Sequence, residues 1–253
     1  MSPVAPRDSR DISKYEREYA AHPFETVQAE FRKRMLLDLL TRLRPARVLE
    51  IGCGLDTLAN HWTGSERFVI VEPGAAFLAA ARVTTAGRRD VLIMEGTLED
   101  VAANLDKGAF DLILVSGLLH ELPDCAPLLD AVHDLCVDTT VVHANVPNAR
   151  SFHRLLALEM GLIESLTEMS RTQISLQQHT TFTLESLIEL VSAHGFSPFE
   201  TGSYFLKPFT HVQMADLQST AFLTTAMLEG FWGMARHLPD MGSEIFVNVK
   251  RTR

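Results

Sequence analysis

Short apolar runs alternate with helix-length segments over the first 145 residues of the chain. Each run has four residues, and most are rich in Val, Ile or Leu: Val48–Ile51, Phe68–Val71, Val91–Met94, Leu112–Val115 and Thr140–His143. Such runs are typical of strands buried on both faces of a parallel sheet. The segments Ala75–Val83, Leu98–Leu105 and Pro127–Cys136 have the composition of crossover helices. The alternation predicts a doubly wound, mostly parallel α/β sheet.

Other elements flank this alternation. Residues 1–44 predict an N-terminal helical cap, because Phe31, Leu36 and Leu40 recur at helical spacing. Residues 45–253 are expected to form one α/β domain. A stretch without strand runs, at about 145–182, predicts a lid-like insertion in that domain.

The last third of the chain predicts further helices and strands. Thr183 is expected to cap a helix over Leu184–His194, and a strand should follow near Ser197–Leu206. Apolar residues at helical spacing predict one long helix from Val212 to His237, and SEIFVNVK predicts a closing strand. The amphipathic character of the long helix is compatible with a homodimer.

Charge and cysteine content exclude several classes of protein. The net charge of −9 argues against a nucleic-acid-binding protein, because nonspecific affinity for nucleic acid comes from a cationic surface. Cys53, Cys125 and Cys136 form no CxxC pair, which favours a reducing, cytoplasmic environment over a disulfide framework or a zinc site. The polar N-terminus and the absence of a run of ~18 apolar residues argue against a signal peptide or a membrane protein.

The run Val48-Leu49-Glu50-Ile51-Gly52-Cys53-Gly54 predicts a ligand-binding loop. A buried strand ends there in two glycines, which permit a tight turn and a close approach of the backbone to a ligand. Glu72 ends the next strand, 22 positions after Glu50. A carboxylate at that place can accept hydrogen bonds from the hydroxyls of a ribose. The two signals together indicate an adenosine-type cofactor.

The details of this loop discriminate between cofactors. Thr57 occupies the place of the third glycine of a dinucleotide fingerprint, and no GK[ST] follows as in a P-loop. Glu50 would oppose a pyrophosphate and suits a positively charged ligand, a sulfonium or an ammonium. An NAD-dependent oxidoreductase on the same sheet is therefore a weaker interpretation.

Four motifs stand in the order and spacing of a known family. VLEIGCG resembles the first motif of the class I S-adenosylmethionine-dependent methyltransferases, and VEP resembles their ribose-binding acid. EGTLED resembles their adenine-contacting turn, and FDLILVSGLLHEL their fourth strand with its following loop. The resemblance implies a seven-stranded Rossmann-like sheet of order 3-2-1-4-5-7-6 whose last strand, placed at SEIFVNVK, is antiparallel.

The resemblance also implies S-adenosylmethionine as cofactor, S-adenosylhomocysteine as product, and a set of contacts. Glu50, Gly52 and Gly54 would line the methionine part of the cofactor, and Glu72 would bind the ribose. Thr97 and Leu98 would contact the adenine, and the backbone of Ser116 the amino-acid end. The complete set of expected cofactor-binding residues is Glu50, Gly52, Cys53, Gly54, Glu72, Pro73, Thr97, Leu98 and Ser116.

His120 is the candidate catalytic residue. It follows the fourth strand, where this fold faces its substrate, and an imidazole with a pKa of ~6.5 suits a general base near neutral pH. A purely binding role for His120 stays open. His120-Glu121 is not an HExxH motif, so we expect no metal.

A second group of polar residues predicts the acceptor site. Arg and Lys side chains beside the sheet edge are suited to a carboxylate, phosphate or phosphonate. The candidate substrate-binding residues are Tyr15, His153, Arg154, Gln178, His179, Tyr204, Lys207 and His211. HANVPNARSFHRLLALEMGLI and GSYFLKPFTH resemble a bacterial branch of these methyltransferases that tailors small polar molecules, including sugars and specialised metabolites.

The sequence therefore predicts methyl transfer from S-adenosylmethionine to a small polar acceptor, with oxygen favoured over nitrogen or carbon. The acceptor oxygen would belong to a sugar, carboxylate, phosphonate or specialised metabolite. N-methyl transfer and a noncatalytic, cofactor-binding partner subunit are the alternatives. An exposed apolar stripe on the helix over Val212–His237 would favour the partner subunit.

Overall fold

The centre of the fold is a seven-stranded sheet. The computed structural model describes residues 11, 12, 14, 17, 18 and 24–252. The strands are β1 (Arg47–Ile51), β2 (Arg67–Glu72), β3 (Val91–Glu95), β4 (Leu112–Ser116), β5 (Val141–Pro147), β6 (Phe196–Tyr204) and β7 (Glu244–Arg251). Their order is β3-β2-β1-β4-β5-β7-β6, and β7 is antiparallel to both of its neighbours. The predicted doubly wound α/β fold, strand order and antiparallel last strand are confirmed.

Helices cover both faces of the sheet. They are α1 (Glu25–Leu43), α2 (Ala75–Thr84), α3 (Leu98–Val101), α4 (Ala126–Leu135), α5 (Phe152–Glu159), α6 (Arg171–Ser175), α7 (Leu184–Ala193), α8 (His211–Ser219) and α9 (Thr225–Met234). Short 3-10 turns lie at Leu58–Asn60, Ala102–Asn104 and Leu119–Glu121. None of the helices in the described ranges is long and apolar enough to cross a membrane.

Alternate residues of the central strands enter two separate apolar cores. Val69 and Val71 of β2 belong to the core on one face, whereas Phe68 and Ile70 belong to the core on the other. All four side chains are at most 1% exposed. Burial on both faces explains why these strands read as continuous apolar runs.

Helix α1 joins the sheet to the C-terminal helices. Leu39 and Leu40 pack in the second of these cores. Phe31 of the same helix belongs to a separate apolar cluster and stacks on Phe205, with 4.1 Å between the ring centroids. The same cluster contains Met214 of α8, so α1 lies between the sheet and the C-terminal helices.

The prediction of a single helix over Val212–His237 is wrong, because the segment forms α8 and α9 with a break between them. The Thr220 hydroxyl donates to the Asp216 and Leu217 carbonyls, and Ala221 has a left-handed backbone with φ 57°. Thr224 then starts α9, since its hydroxyl accepts from the Met227 N–H. Side chains that bond to nearby backbone groups compete with helix continuation in this way.

The predicted lid-like segment leaves the sheet and returns to it at one point. β5 ends at Pro147, and Asn148 forms an isolated parallel bridge with Phe182. Residues 149–181 between these points contain α5 and α6. Thr183 caps α7 as predicted, through reciprocal hydrogen bonds with Ser186.

Candidate active site

A cavity of 1390 Å³ opens at the carboxyl ends of β1, β2 and β4. Its wall includes the loop after β1, the end of β2, the turn after β4, helix α1, and residues of α5 and α8. This is the edge at which open α/β sheets bind ligands. All nine residues predicted to bind the cofactor line this cavity.

The loop after β1 contains two glycines with left-handed backbone. Gly52 has φ +76° and Gly54 has φ +56°, conformations that residues with a Cβ rarely adopt. A Cβ placed on Gly54 would meet no atom within 4 Å. Gly54 is therefore required by backbone conformation, and the space in front of it belongs to the cavity. This is the cradle that a ligand approaching the backbone needs.

The carboxylate of Glu72 is fixed at the cavity wall by backbone donors. Its Oε2 accepts from the Cys53 N–H at 2.9 Å and its Oε1 from the Gly74 N–H at 2.7 Å. Burial raises the pKa of Glu72, and these backbone hydrogen bonds oppose that rise. The Glu72 carboxyl is thus pre-oriented by the same loop that carries the glycines.

Thr57, the residue that departs from the dinucleotide fingerprint, holds Glu50. The Thr57 hydroxyl donates to Oε2 of Glu50, and the Leu58 N–H donates to Oε1 at 3.0 Å. Burial raises the pKa of Glu50 to about 7 despite these hydrogen bonds. A buried acid of this kind gains from a cationic ligand, which would favour its ionised form.

Three further predicted cofactor residues occupy the ends of β3 and β4. Thr97 caps α3, with its hydroxyl 2.8 Å from Oδ2 of Asp100, and Leu98 begins the helix. Ser116 ends β4 beside Gly117, whose N–H donates to the Asn145 carbonyl at 3.0 Å. The fold therefore brings these residues to the same cavity as the glycine loop.

His120 lies in the 3-10 turn after β4 and lines the cavity with 6% of its surface exposed. Its Nε2 is 3.8 Å from Oε1 of Glu121. Its carbonyl accepts from the His179 N–H at 2.9 Å and the Thr180 N–H at 3.2 Å. The candidate base is thus attached through its backbone to the end of the lid-like segment.

The predicted acceptor residues divide into three groups. Five of them line the cavity, namely His153, Arg154, Gln178, Lys207 and His211. Tyr204 and His179 do not: Tyr204 is buried behind the wall, and the His179 side chain is exposed. Their prediction as substrate contacts is not supported by this geometry. Tyr15 lies outside the described residues.

Arg154 bonds to protein carbonyls rather than to an acid. Its Nη2 donates to the carbonyls of Leu166 at 2.8 Å and Glu168 at 2.6 Å, and its Nη1 donates to Gln173 at 3.2 Å. The guanidinium group, predicted to bind an acid group of the acceptor, therefore already donates to the segment between α5 and α6 and to Gln173 of α6. Arg154 positions that segment.

Glu244, at the start of β7, lies in the cavity wall, accepts hydrogen bonds from four side chains and was not predicted from the sequence. Its carboxylate accepts from Arg32 Nη2 at 2.6 Å, Asn145 Nδ2 at 2.7 Å and Gln28 Nε2 at 3.0 Å, and also from the Tyr204 hydroxyl. Burial acts to raise the pKa of Glu244, but Arg32 and these donors hold it below its ordinary value. Tyr204 thus acts on the wall through Glu244.

Lys207 lines the cavity beside His211, the first residue of α8, and is 2% exposed. Its Nζ is 2.8 Å from Nδ1 of His211, whose Nε2 is 3.5 Å from Oε2 of Glu25. Burial lowers the pKa of Lys207 to about 8. Within the described ranges, no group of three or more His, Cys, Asp or Glu residues is arranged to hold a metal ion.

Comparison with known proteins agrees with this site. A family model described as a methyltransferase domain matches residues 24–201. No curated protein matches the chain in sequence. Many solved structures share the fold.

Three of these structures illustrate the similarity. An S-adenosylmethionine-dependent methyltransferase from Mesorhizobium loti is 17% identical, with a TM-score of 0.54 over 81% of this chain and 90% of its own. A methyltransferase from Thermotoga maritima is 17% identical, with a TM-score of 0.59 over 95% and 96%. A phosphoethanolamine N-methyltransferase from Haemonchus contortus, in complex with phosphomonomethylethanolamine and S-adenosylhomocysteine, is 16% identical, with a TM-score of 0.59 over 96% and 57%.

The family match covers more than half of the chain, and the Thermotoga maritima structure matches over 95% of it. Both the glycine loop and the Glu72 carboxylate line the cavity. The chain belongs to the methyltransferase domain family and is an S-adenosylmethionine-dependent methyltransferase of the class I fold.

Proposed function

We propose that this enzyme transfers the methyl group of S-adenosylmethionine to a hydroxyl oxygen of a small polar acceptor. The observation that carries the proposal is the continuity of one cavity of 1390 Å³ from Gly52 and Gly54 to Lys207 and His211. Pockets for one small ligand measure roughly 300–1,000 Å³, so this volume suits a cofactor and an acceptor side by side. Holding both reactants in one cavity supplies the alignment that displacement at a methyl group needs.

The cofactor half of the cavity is assigned residue by residue. Glu50, Gly52, Cys53 and Gly54 line the methionine part, and Glu72 with Pro73 receives the ribose. Thr97 and Leu98 contact the adenine, and the Ser116 backbone faces the amino-acid end. The two backbone hydrogen bonds to Glu72 support its assignment, because they leave the carboxylate fixed toward the cavity.

His120 is assigned as the base. S-adenosylmethionine supplies an electrophilic methyl group on a positively charged sulfur. His120 takes the proton of the acceptor hydroxyl, which leaves an oxygen able to attack. Its position in the turn after β4, at the cavity wall and almost excluded from water, supports this role.

Several finer assignments belong to the same proposal. Of the predicted cap at residues 1–44, the described Ile12 and helix α1 line the cavity and are assigned as its cap, and the segment at about 145–182 is its lid. Gln177 of the lid exchanges hydrogen bonds of 3.0 and 3.1 Å with the backbone of Asp11, which supports a closed arrangement of the two. A small-molecule acceptor, a cytoplasmic location and a homodimer complete the proposal.

The alternatives make different predictions. A noncatalytic subunit would leave an apolar stripe exposed on the C-terminal helical segment. Met214 and Leu223 are buried against Phe31 and Phe205, whereas Val212, Phe222, Met227 and Met234 are exposed, so this segment does not separate the two alternatives. Nitrogen as the acceptor atom is favoured by two neighbours. The Haemonchus contortus protein is named as an N-methyltransferase, and the Thermotoga maritima protein as a possible histamine N-methyltransferase. The acceptor atom is therefore what the experiment must identify.

The test uses S-adenosylmethionine with a ¹³C-labelled methyl group and a panel of sugars, hydroxy acids, phosphonates and amines. The ¹³C chemical shift of the product distinguishes O-methyl from N-methyl. With the best acceptor, we expect His120→Gln to lower kcat by about 100-fold near neutral pH. His194→Gln is the matched control, because His194 pairs with Asp130 and does not line the cavity. An N-methyl product would contradict the assignment of oxygen as the acceptor atom. An unchanged kcat with a raised KM in His120→Gln would contradict the assignment of His120 as the base.

A further inference from the structure

The wall of the cavity contains a buried ammonium group, that of Lys207, which no carboxylate among the described residues contacts. Among the described residues, the only polar contact of Lys207 Nζ is His211 Nδ1 at 2.8 Å. A buried charge is costly unless an opposite charge or several hydrogen bonds compensate it. At neutral pH most of this lysine is still protonated, because its pKa is lowered only to about 8 by burial. A ligand that carries a negative charge would supply the missing partner.

The carboxylates nearest to Lys207 are engaged elsewhere. Glu244 is bound by Arg32 at 2.6 Å. Glu25 lies 3.4 Å from Arg32 and 3.5 Å from His211. The titratable and charged groups around Lys207 come from α1, α5, α8 and β7, and they are Glu25, Arg32, His153, His211 and Glu244. Arg154 acts electrostatically on His153.

His153 adds a donor beside Lys207. Its Nδ1 is buried and has no hydrogen-bond partner in the described part of the chain, although the residue lines the cavity. The pKa of His153 is lowered by burial first and by Lys207 next, which places the two side chains in the same electrostatic environment. A neutral imidazole with a free ring nitrogen can donate to an anion from that position. Lys207 and His153 therefore line the same cavity and interact electrostatically.

Gln28 presents an acceptor to the same cavity. Its Nε2 donates to Ser243 Oγ at 2.8 Å and to Glu244 Oε1 at 3.0 Å, which fixes the orientation of the amide. Its Oε1 is buried and has no partner among the described residues. Buried acceptors are normally satisfied in the functional state. A hydroxyl group of a bound ligand would satisfy this one.

We infer that the methyl acceptor is a hydroxylated anion. Its acid group, a carboxylate or a phosphate, binds between Lys207 Nζ and His153 Nδ1, and one of its hydroxyl groups donates to Gln28 Oε1. This inference names the substrate class and rests on the proposed function. A neutral sugar would supply a hydroxyl group for Gln28 Oε1 but no negative charge for Lys207, and a simple amine would supply no negative charge either.

The test is calorimetric titration of the enzyme saturated with S-adenosylhomocysteine. Glucose, gluconate and glucose 6-phosphate form a series that keeps the hydroxyl groups and changes the charge. We expect both charged compounds to bind at least tenfold more tightly than glucose, and their order identifies the acid group that the site prefers. Inorganic phosphate is the minimal probe of the anion site and should compete with glucose 6-phosphate.

Lys207→Met tests the anchor, because methionine keeps an unbranched side chain of nearly the same length and removes the charge. We expect at least a tenfold loss of affinity for the charged compounds. Lys107→Met is the matched control, since Lys107 is exposed and outside the cavity, and it should bind them like the wild type. His153→Phe should cause a smaller loss.

A measurement on the wild type avoids any question of folding. Affinity for glucose 6-phosphate should fall as pH rises through about 8, because Lys207 loses its charge while the phosphate is already fully ionised. Two results would overturn this inference alone while S-adenosylhomocysteine still binds. One is charged compounds that bind no better than glucose, and the other is a Lys207→Met variant with unchanged affinity for them. Loss of S-adenosylhomocysteine binding by the wild type would overturn the proposed function instead.

Discussion

Two parts of the cavity wall are built in different ways. The cofactor end is the part around Gly52, Gly54 and Glu72, and the acceptor end is the part around Lys207 and Glu244. At the cofactor end, the supporting hydrogen bonds join residues close in sequence, from 2 positions for Gly74–Glu72 to 19 for Cys53–Glu72. At the acceptor end, Gln28 and Arg32 reach Glu244 across 216 and 212 positions. The cofactor end is assembled by one strand-loop-strand unit. The acceptor end forms only when helix α1 and strand β7, which are far apart in the sequence, have come together. The difference predicts that substitutions at the two ends fail in different ways.

The largest effect should come from breaking the long-range end. Arg32→Met leaves the buried Glu244 carboxylate without its cation, which should lower the free energy of unfolding by about 3–5 kcal/mol. Urea denaturation followed by circular dichroism measures this change. Arg34→Met is the matched control, because Arg34 pairs with Glu229 at the surface and should cost about 1 kcal/mol or less. Equal losses in both variants would contradict the distinction between the two ends.

The next effect should appear as lost binding at the local end. Gly54→Val puts a branched side chain into the space in front of the loop, and we expect affinity for S-adenosylhomocysteine to fall by about 100-fold. Gly87→Val supplies the control, since Gly87 has φ +85°, equally open surroundings and no place in the cavity wall. Both variants should lose about 1–2 kcal/mol of stability from the left-handed backbone. Only Gly54→Val should lose affinity.

A smaller loss is expected from the ribose carboxylate. Glu72→Ala removes charge-assisted hydrogen bonds worth ~2 kcal/mol, so affinity for S-adenosylhomocysteine should fall by about 30-fold. Glu95→Ala, at the end of the neighbouring strand and outside the cavity, should bind like the wild type. Calorimetry on both variants decides the matter, and wild-type affinity in a folded Glu72→Ala protein would remove the ribose assignment.

The smallest effect concerns pH. Burial raises the pKa of Glu50 to about 7, so its carboxyl is mostly ionised at pH 8 and mostly neutral at pH 6. The preference for the cationic S-adenosylmethionine over neutral-sulfur S-adenosylhomocysteine should therefore increase by about threefold from pH 6 to pH 8, or ~0.6 kcal/mol. Because the pKa in the folded state is raised, the ligand-free protein should also lose stability as pH rises from 4.5 through 7.

Two variants isolate this pH effect. Glu50→Gln should remove the pH dependence of the preference. Asp56→Asn should keep the pH dependence, because Asp56 stays ionised from pH 6 to pH 8. Burial acts to raise the pKa of Asp56, but hydrogen bonds from Asn60 and Lys33 outweigh it and lower the pKa to about 2. A preference that is constant with pH in the wild type would exclude Glu50 as the group facing the sulfonium.

The sequence predicted the cofactor end because its signals are local. Strand periodicity, the two glycines and the acid after β2 each depend on a few neighbouring residues, and the strand order followed from the family resemblance. Arg32, Lys33 and Arg34 show why the acceptor end was not predicted. These three consecutive basic residues pair with Glu244, Asp56 and Glu229 respectively, and nothing in their sequence distinguishes a buried ion pair from a surface one.

Local reasoning also failed where a turn redirected the chain. Tyr204 and Lys207 belong to one short motif, yet Phe205 between them has a left-handed backbone with φ 53°. The Tyr204 hydroxyl consequently bonds to Glu244 behind the wall, while Lys207 reaches the cavity. A non-glycine residue in that conformation is uncommon, and sequence composition does not reveal it.

The hydrogen bonds collected by Glu244 have a consequence for evolution and engineering of this enzyme. One carboxylate joins α1, β5, β6 and β7, so substitutions of Gln28, Arg32, Asn145 and Tyr204 will not have additive effects. A new acceptor preference in this wall therefore requires several simultaneous changes rather than a series of independent ones. Libraries that vary these four positions together should yield altered specificities that single-site libraries miss.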